Sequence, residues 1–319
     1  MLKINTWCRD SCLFKNAEES RFKPNALVSI IVFFCIWGGS LLVGRIIVLP
    51  LIGLLPNSTI LWASLSLSLR KILVCGIQIA AFFAWVKTVE KRKIATMGFV
   101  AKRKAKAYWC GVVIGFCSIA LIVLAISICG SVEVDFNKQL PTDLLLGSLI
   151  ISVSGWMVQS ASEEIAIRGW LIPALGIRYN PLAAVLLTGG VFGIIHLFSS
   201  GATVLSFINL ALSGFFFALY AIHAGNIWGV CGLHFGCNYA LGSIFGLSIS
   251  GEQSEGSSLL VSKTSDADLL TGGAFGPEGG LITTVFLVCA ILFICILLHK
   301  KHKTRFKDQS DKNVTKLFT

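Results

Sequence analysis

The residues best equipped for chemistry are Glu163, Glu164 and Arg168, then His196, then His234 with Asn238, each carried on an otherwise apolar stretch. Even lenient insertion scales put each charge in hydrocarbon at a cost of about 2.5–3.5 kcal/mol, so these side chains need partners or a function. Residues four apart share a helix face, and Glu before Arg is the favourable order, so Glu164 is expected to pair with Arg168. Glu163 points about 100° away around the helix and has Ile167 four residues on. It is left for a proton or a water. A carboxylate and a neutral imidazole converging on one water can activate it as a nucleophile. A second His with an Asn one turn away supplies donors suited to a tetrahedral oxyanion. Together the parts describe hydrolysis of an acyl bond.

The elements that must position these groups are membrane helices. The chain has 319 residues, 55% of them hydrophobic and only 13% charged, with mean hydropathy +0.80, against roughly 25% charged in a soluble domain. Taking about 20 apolar residues per crossing, spans are expected near 26–48, 69–87, 108–129, 143–166, 182–199, 204–223, 227–247 and 281–299. The fold class is therefore all-α, a polytopic bundle of about eight transmembrane helices. Its parts are a basic N-terminus 1–25, one helical domain 26–299, a flexible external loop 248–280 and a basic tail 300–319.

The net charge of +11 reads as topology rather than nucleic-acid binding. Lys87, Lys91, Arg92, Lys93, Lys102, Arg103, Lys104 and Lys106 crowd one inter-span segment, and Lys300, Lys301, Lys303, Arg305, Lys307, Lys312 and Lys316 crowd the tail. By the positive-inside rule both are cytoplasmic, as is the N-terminus with Lys3, Arg9, Lys15, Arg21 and Lys23. The loop 131–142, with Glu133 and Asp135, and the loop 248–280, with Glu252, Glu255, Asp266, Asp268 and Glu278, face outward. Most of the eleven cysteines sit in or beside apolar runs, where a thiol behaves as a small hydrophobe. No spacing suggests a disulfide framework or a zinc site. Cys8 and Cys12 are the exception, at helical spacing in a polar segment where lipidation is conceivable.

Depth can be counted from the turns. Glu164 lies fourteen residues before a turn near Arg178 and His196 eighteen after it, which at 1.5 Å per residue differ by about 6 Å in height. His234 and Asn238 lie nine and thirteen residues past a turn near Gly225. Glu163, His196 and Asn238 are thus expected in one layer, with cleavage near the cytoplasmic side. Gly225, Gly229, Gly232 and Gly236, and Gly189 with Gly193, mark faces where helix backbones approach closely. One Glu and two His, here Glu163, His196 and His234, could also hold a divalent metal such as zinc and its water. HExxH is absent, however, and nothing in the sequence requires a cofactor.

EExxxR at 163–168, FxxxH from Phe192 to His196 and HxxxN from His234 to Asn238 resemble, in order, the three motifs of the CAAX-prenyl-protease and bacteriocin-processing intramembrane proteases. The similar core runs over about 143–247. The resemblance implies an eight-helix bundle, Glu163 and His196 as the water-activating pair, His234 and Asn238 as oxyanion stabilisers, and Glu164, Arg168 and Phe192 as support. It leaves a metal open. The expected partners are the lipid bilayer and a peptide or lipidated protein substrate, in an integral membrane protein of a bacterial plasma membrane. Two other classes remain: a non-proteolytic peptide-binding or self-immunity protein on the same fold, and a proton-coupled transporter. The transporter is disfavoured by the lack of internal repeats and of paired broken helices.

Overall fold

In the computed structural model, residues 8–9, 11–56, 58–253 and 257–317 are described, the last of these with side chains up to Thr304. Lys3, Glu255 and the side chains of Arg305, Lys307, Lys312 and Lys316 lie outside the described residues. Eight helices stand at the eight expected places: α1 Ala26–Ile52, α2 Ile60–Thr88, α3 Lys104–Ile128, α4 Thr142–Arg178, α5 Pro181–Ile194, α6 Val204–Ala224, α7 Trp228–Asn238 and α8 Leu281–Leu317. Six of them are long and apolar enough to cross a membrane by length and composition. The shorter two, α5 and α7, carry the histidines.

Local chemistry sets the boundaries. Asn25 starts α1, its Oδ1 accepting from Val28 N at 2.9 Å. Asn180 does the same for α5 from Leu182 N, with Pro181 in the first turn where no N–H is needed. A reciprocal Thr203–Ser206 capping box opens α6, and Gly225 closes it at φ 73°, a left-handed position that favours glycine.

Three helices widen into π-helical turns: α1 at Gly44–Val48, α4 at Ile165–Leu171, and α7, which continues as Tyr239–Ile244. The second begins directly after Glu164 and the third directly after Asn238. Such turns concentrate at functional sites because the extra residue re-aims the side chains around it.

The contact between α3 and α7 is the closest helix pairing. A Cβ on Gly111 would meet Gly229 O at 2.0 Å, one on Gly115 would meet Leu233 O at 2.1 Å, and one on Gly232 would meet Tyr108 O at 2.0 Å. Only glycine on both faces permits that approach, and it fixes the height of His234 and Asn238 against a rigid neighbour.

Both chain ends reach the same end of the bundle: Ser11 Oγ donates to Ile222 O and Lys301 Nζ to His223 O. The basic segment after α2 lies there too, but Arg92 is not solvated. It is buried against Glu90, whose carboxylate also accepts from the indoles of Trp85 at 3.2 Å and Trp170 at 2.6 Å. Cys8 is likewise fully buried, and burial pushes its thiol up to about 12, whereas Cys12 is exposed.

At the opposite end, the two loops expected to be external join. Strand β1, Val132–Phe136, pairs antiparallel with β2, Leu260–Thr264, placing Glu133 across from Lys263. The stretch 248–280 thus carries a strand and short helical turns, structure that its Ser- and Gly-rich composition did not suggest.

Candidate active site

The charges of α4 are buried as a network. Glu164 is fully inaccessible, and its Oε1 accepts from Arg168 Nη1 at 2.8 Å and from His234 Nδ1 at 2.8 Å. Arg168 donates its other terminal nitrogen to Gly214 O at 3.1 Å and lies over the rings of Phe192 and Phe217, 4.9 and 5.3 Å from their centroids. The expected ion pair is present. The sequence did not reveal that Glu164 also holds His234, because that contact crosses seventy residues.

The partners fix the tautomers. An ionised Glu164 facing Arg168 only accepts, so His234 Nδ1 carries a hydrogen and its Nε2 faces Glu163 Oε2, 3.9 Å away. The Nδ1 of His196 lies 2.9 Å from Phe192 O, also a pure acceptor, so its hydrogen is there and Nε2 is left as an acceptor. Phe192 packs between the two imidazoles, 5.1 Å from His196 and 6.1 Å from His234.

Glu163 differs from expectation. It has no partner four residues on, but it has one four residues back: Gln159 Nε2 donates to Glu163 Oε1 at 2.7 Å. Gln159 Oε1 in turn accepts from Asn238 Nδ2 at 3.2 Å, and Ser160 Oγ accepts from the same amide at 3.4 Å. Gln159 therefore couples the carboxylate of α4 to the amide of α7. Glu163 Oε2 is buried and makes no hydrogen bond.

A cavity of about 260 Å³ joins these groups. Glu163, His196, His234 and Asn238 line it together with Gln159, Trp156 and Phe192. The residues expected in one layer line one cavity; the imidazole nearest Glu163 is that of His234, 3.9 Å from its carboxylate, and His196 is part of the cavity wall. The remaining lining comes from Ser199, Ser200, residues 249–252 and Glu278, which belong to the end of the bundle opposite the basic segment. The cavity lining thus comes from the end of the bundle that carries the two joined loops. His196 lies directly after α5, at the start of the 195–203 connection.

The roof over this cavity was missed by sequence reading. Ile249 and Glu252 form a bridge across a tight turn with Ser250 at φ 46° and Gly251 at φ 85°. Glu252 anchors it to Arg70 at 2.7 Å and Lys71 at 3.4 Å, and the Lys71 ammonium sits 3.1 Å over the ring of Trp156. Glu278 Oε2 holds it from the other side, accepting from Ser250 N at 2.6 Å and Ser250 Oγ at 2.8 Å.

The residues do not fit a metal in the arrangement considered from sequence. Among the described residues no three His, Cys, Asp or Glu side chains converge as a ligand set. Both histidines bond Nδ1 to an acceptor and leave Nε2 free on the cavity side, as metal-ligating imidazoles also do, and Glu163 Oε2 lies 3.9 Å from His234 Nε2. No step below is routed through a metal.

An apolar helical bundle with a carboxylate, two imidazoles and an amide around one internal cavity has the parts of a membrane-embedded hydrolase. Residues 145–240 match the family described as type II CAAX prenyl endopeptidase, Rce1-like, and this segment of the chain is similar to that family. The match spans α4 to α7 and contains every motif residue from Glu163 to Asn238. The chain is also similar to an uncharacterized protein of Bacillus subtilis (strain 168), YyaK, 28% identical over 160 residues. That alignment covers 47% of this chain and 51% of the relative, about half of each. No solved structure matches the chain.

Proposed function

We propose that the protein is an intramembrane endopeptidase that hydrolyses a peptide bond in a membrane-associated or lipid-anchored peptide through a water activated by Glu163 and His196. The observation that carries this reading is the unbonded, buried Oε2 of Glu163 in a cavity it shares with the bare Nε2 of His196. A water between them would donate a hydrogen to each and turn a lone pair toward a carbonyl carbon. Removing it from bulk water strengthens both interactions.

As the tetrahedral oxyanion forms, Asn238 supplies an amide donor from the cavity wall. Its present bonds of 3.2 and 3.4 Å are long, and a full negative charge competes well for those hydrogens. His234 can add Nε2–H when its ring carries both protons. Glu164 and Arg168 take no part in bond making; they hold His234 and cancel each other's charge.

The loop charges support a cavity mouth on the non-cytoplasmic face, and the Bacillus relative supports a bacterial plasma membrane as the setting. A non-proteolytic peptide-binding role would need none of this arrangement of unsatisfied acceptors. Purified protein in liposomes, offered membrane-anchored peptides, tests the proposal. Wild type is expected to release fragments, and folded Glu163→Ala and His196→Ala proteins are expected to release none. Processing at the wild-type rate by either variant overturns it.

A further inference from the structure

Glu278 is a carboxylate that the chemistry above does not use, and it occupies an unusual place. It lines the 260 Å³ cavity and also a smaller adjoining crevice, and His234, Asn238 and Phe192 are the other residues common to both. It therefore stands at the junction of the two spaces. Ser250 secures Oε2 with two short hydrogen bonds, which fixes the carboxylate in position. Oε1 makes no hydrogen bond to any described residue and is not among the buried unsatisfied atoms, so it is free to accept on a residue that lines both spaces.

Among the described residues no Lys or Arg lines the cavity. Of the other two carboxylates among its described lining, Glu252 is neutralised by Arg70 and Lys71, and Glu163 is the proposed base. Glu164, behind the wall, is matched by Arg168. Glu278 is thus the carboxylate of the cavity with neither a cationic partner nor a catalytic task, oriented and offering an acceptor oxygen. Beside it, Ile122, Phe217, Leu287 and Phe286 give the adjoining crevice apolar walls. A fixed carboxylate at the edge of an apolar wall suits one kind of group above others: a long cationic side chain, whose methylenes favour apolar contact while its head seeks an anion.

We propose that Glu278 is a specificity-determining residue that selects peptides with a lysine or arginine side chain next to the scissile bond and disfavours an acidic one there. The proposal rests on the endopeptidase reading for its setting, and it separates from that reading because charge selection is a property of binding as well as of turnover. A charge-assisted hydrogen bond contributes about 1.5–3 kcal/mol, which corresponds to roughly 10–150-fold in preference.

The test uses membrane-anchored, internally quenched peptides that share one apolar sequence and differ in a single residue, Lys, Gln or Glu, moved along the sequence. Cleavage is measured with the full-length protein, and binding of the same peptides is measured with Glu163→Gln protein. At one register the Lys peptide is expected to exceed the Gln peptide by roughly 10-fold or more and the Glu peptide to fall below both. In Glu278→Gln protein the Lys/Gln ratio is expected to collapse toward one, and in Glu278→Lys protein the Glu peptide should become the preferred one. A merely structural role for Glu278 would lower all three peptides together and leave their ratios unchanged. Equal binding of the three peptides, or a Lys/Gln ratio that survives Glu278→Gln, overturns the proposal. Lys-selective binding that depends on Glu278, without any cleavage by wild type, upholds the charge selection by Glu278 and removes the endopeptidase reading, and with it the placement beside a scissile bond.

Discussion

His234 Nδ1 lies 2.8 Å from Glu164 Oε1, and this bond turns the opposite edge of the same ring, Nε2, toward Glu163. A buried carboxylate thus serves two helices. It matches Arg168 within α4 and sets the tautomer of an imidazole on α7.

Removing that carboxylate has two separable consequences. Glu164→Ala leaves Arg168 buried and uncompensated, and is expected to cost about 3–5 kcal/mol of stability. The joint Glu164→Leu/Arg168→Met variant should cost less than either single change, because no unpaired charge remains. Thermal unfolding in detergent with a double-mutant cycle measures the coupling. Glu164→Gln, which preserves shape, should lower turnover by about 10²–10⁴-fold through loss of ring orientation.

Gln159 bridges Glu163 and Asn238. Gln159→Met, similar in size but without hydrogen-bonding groups, is expected to reduce kcat by about 10-fold with little change in KM, as for a residue that positions groups acting in the transition state. Steady-state cleavage of one anchored peptide by both proteins gives the comparison.

The α3–α7 contact depends on glycine. Gly232→Ala would place a Cβ 2.0 Å from Tyr108 O, forcing the helices apart at a cost of about 1–3 kcal/mol and displacing His234. Gly190→Ala, with nothing within 4 Å of the new atom, should be neutral or slightly stabilising through helix propensity. Melting temperatures of the two variants, measured side by side, distinguish them.

Thiol labelling addresses the N-terminal segment. Cys8 is inaccessible and holds its proton up to about 12, so it is expected to resist a maleimide in the folded protein at pH 7 and at pH 9. Exposed Cys12 should react at both. Fast labelling of Cys8 under folded conditions would show that this segment does not pack as described.

Much of this was legible in the sequence because membrane burial leaves a strong signal. Eight apolar runs marked eight helices, and charged or imidazole side chains stood out inside them. The Glu164–Arg168 pair followed from helical spacing alone. Gln159 was equally accessible by the same rule applied backwards from Glu163, and VEVDF at 132–136 shows the alternation of a strand. The Glu164–His234 bond was not legible, since nothing local in either helix names the other. The π-helical turns leave composition unchanged, and the roof formed by Ser250, Glu252 and Glu278 depends on contacts between distant polar loops with no periodicity. Counting from the turns gives a height but not which end of the bundle supplies the rest of the cavity lining.

The central claim is that Glu163 activates the water that cuts a peptide in this cavity. Its most direct test compares newly formed peptide termini in membranes from cells making wild-type protein with those from cells making equal amounts of folded Glu163→Gln protein. The account predicts a set of termini present with wild type and absent with the variant. The same termini at the same abundance in both would contradict it.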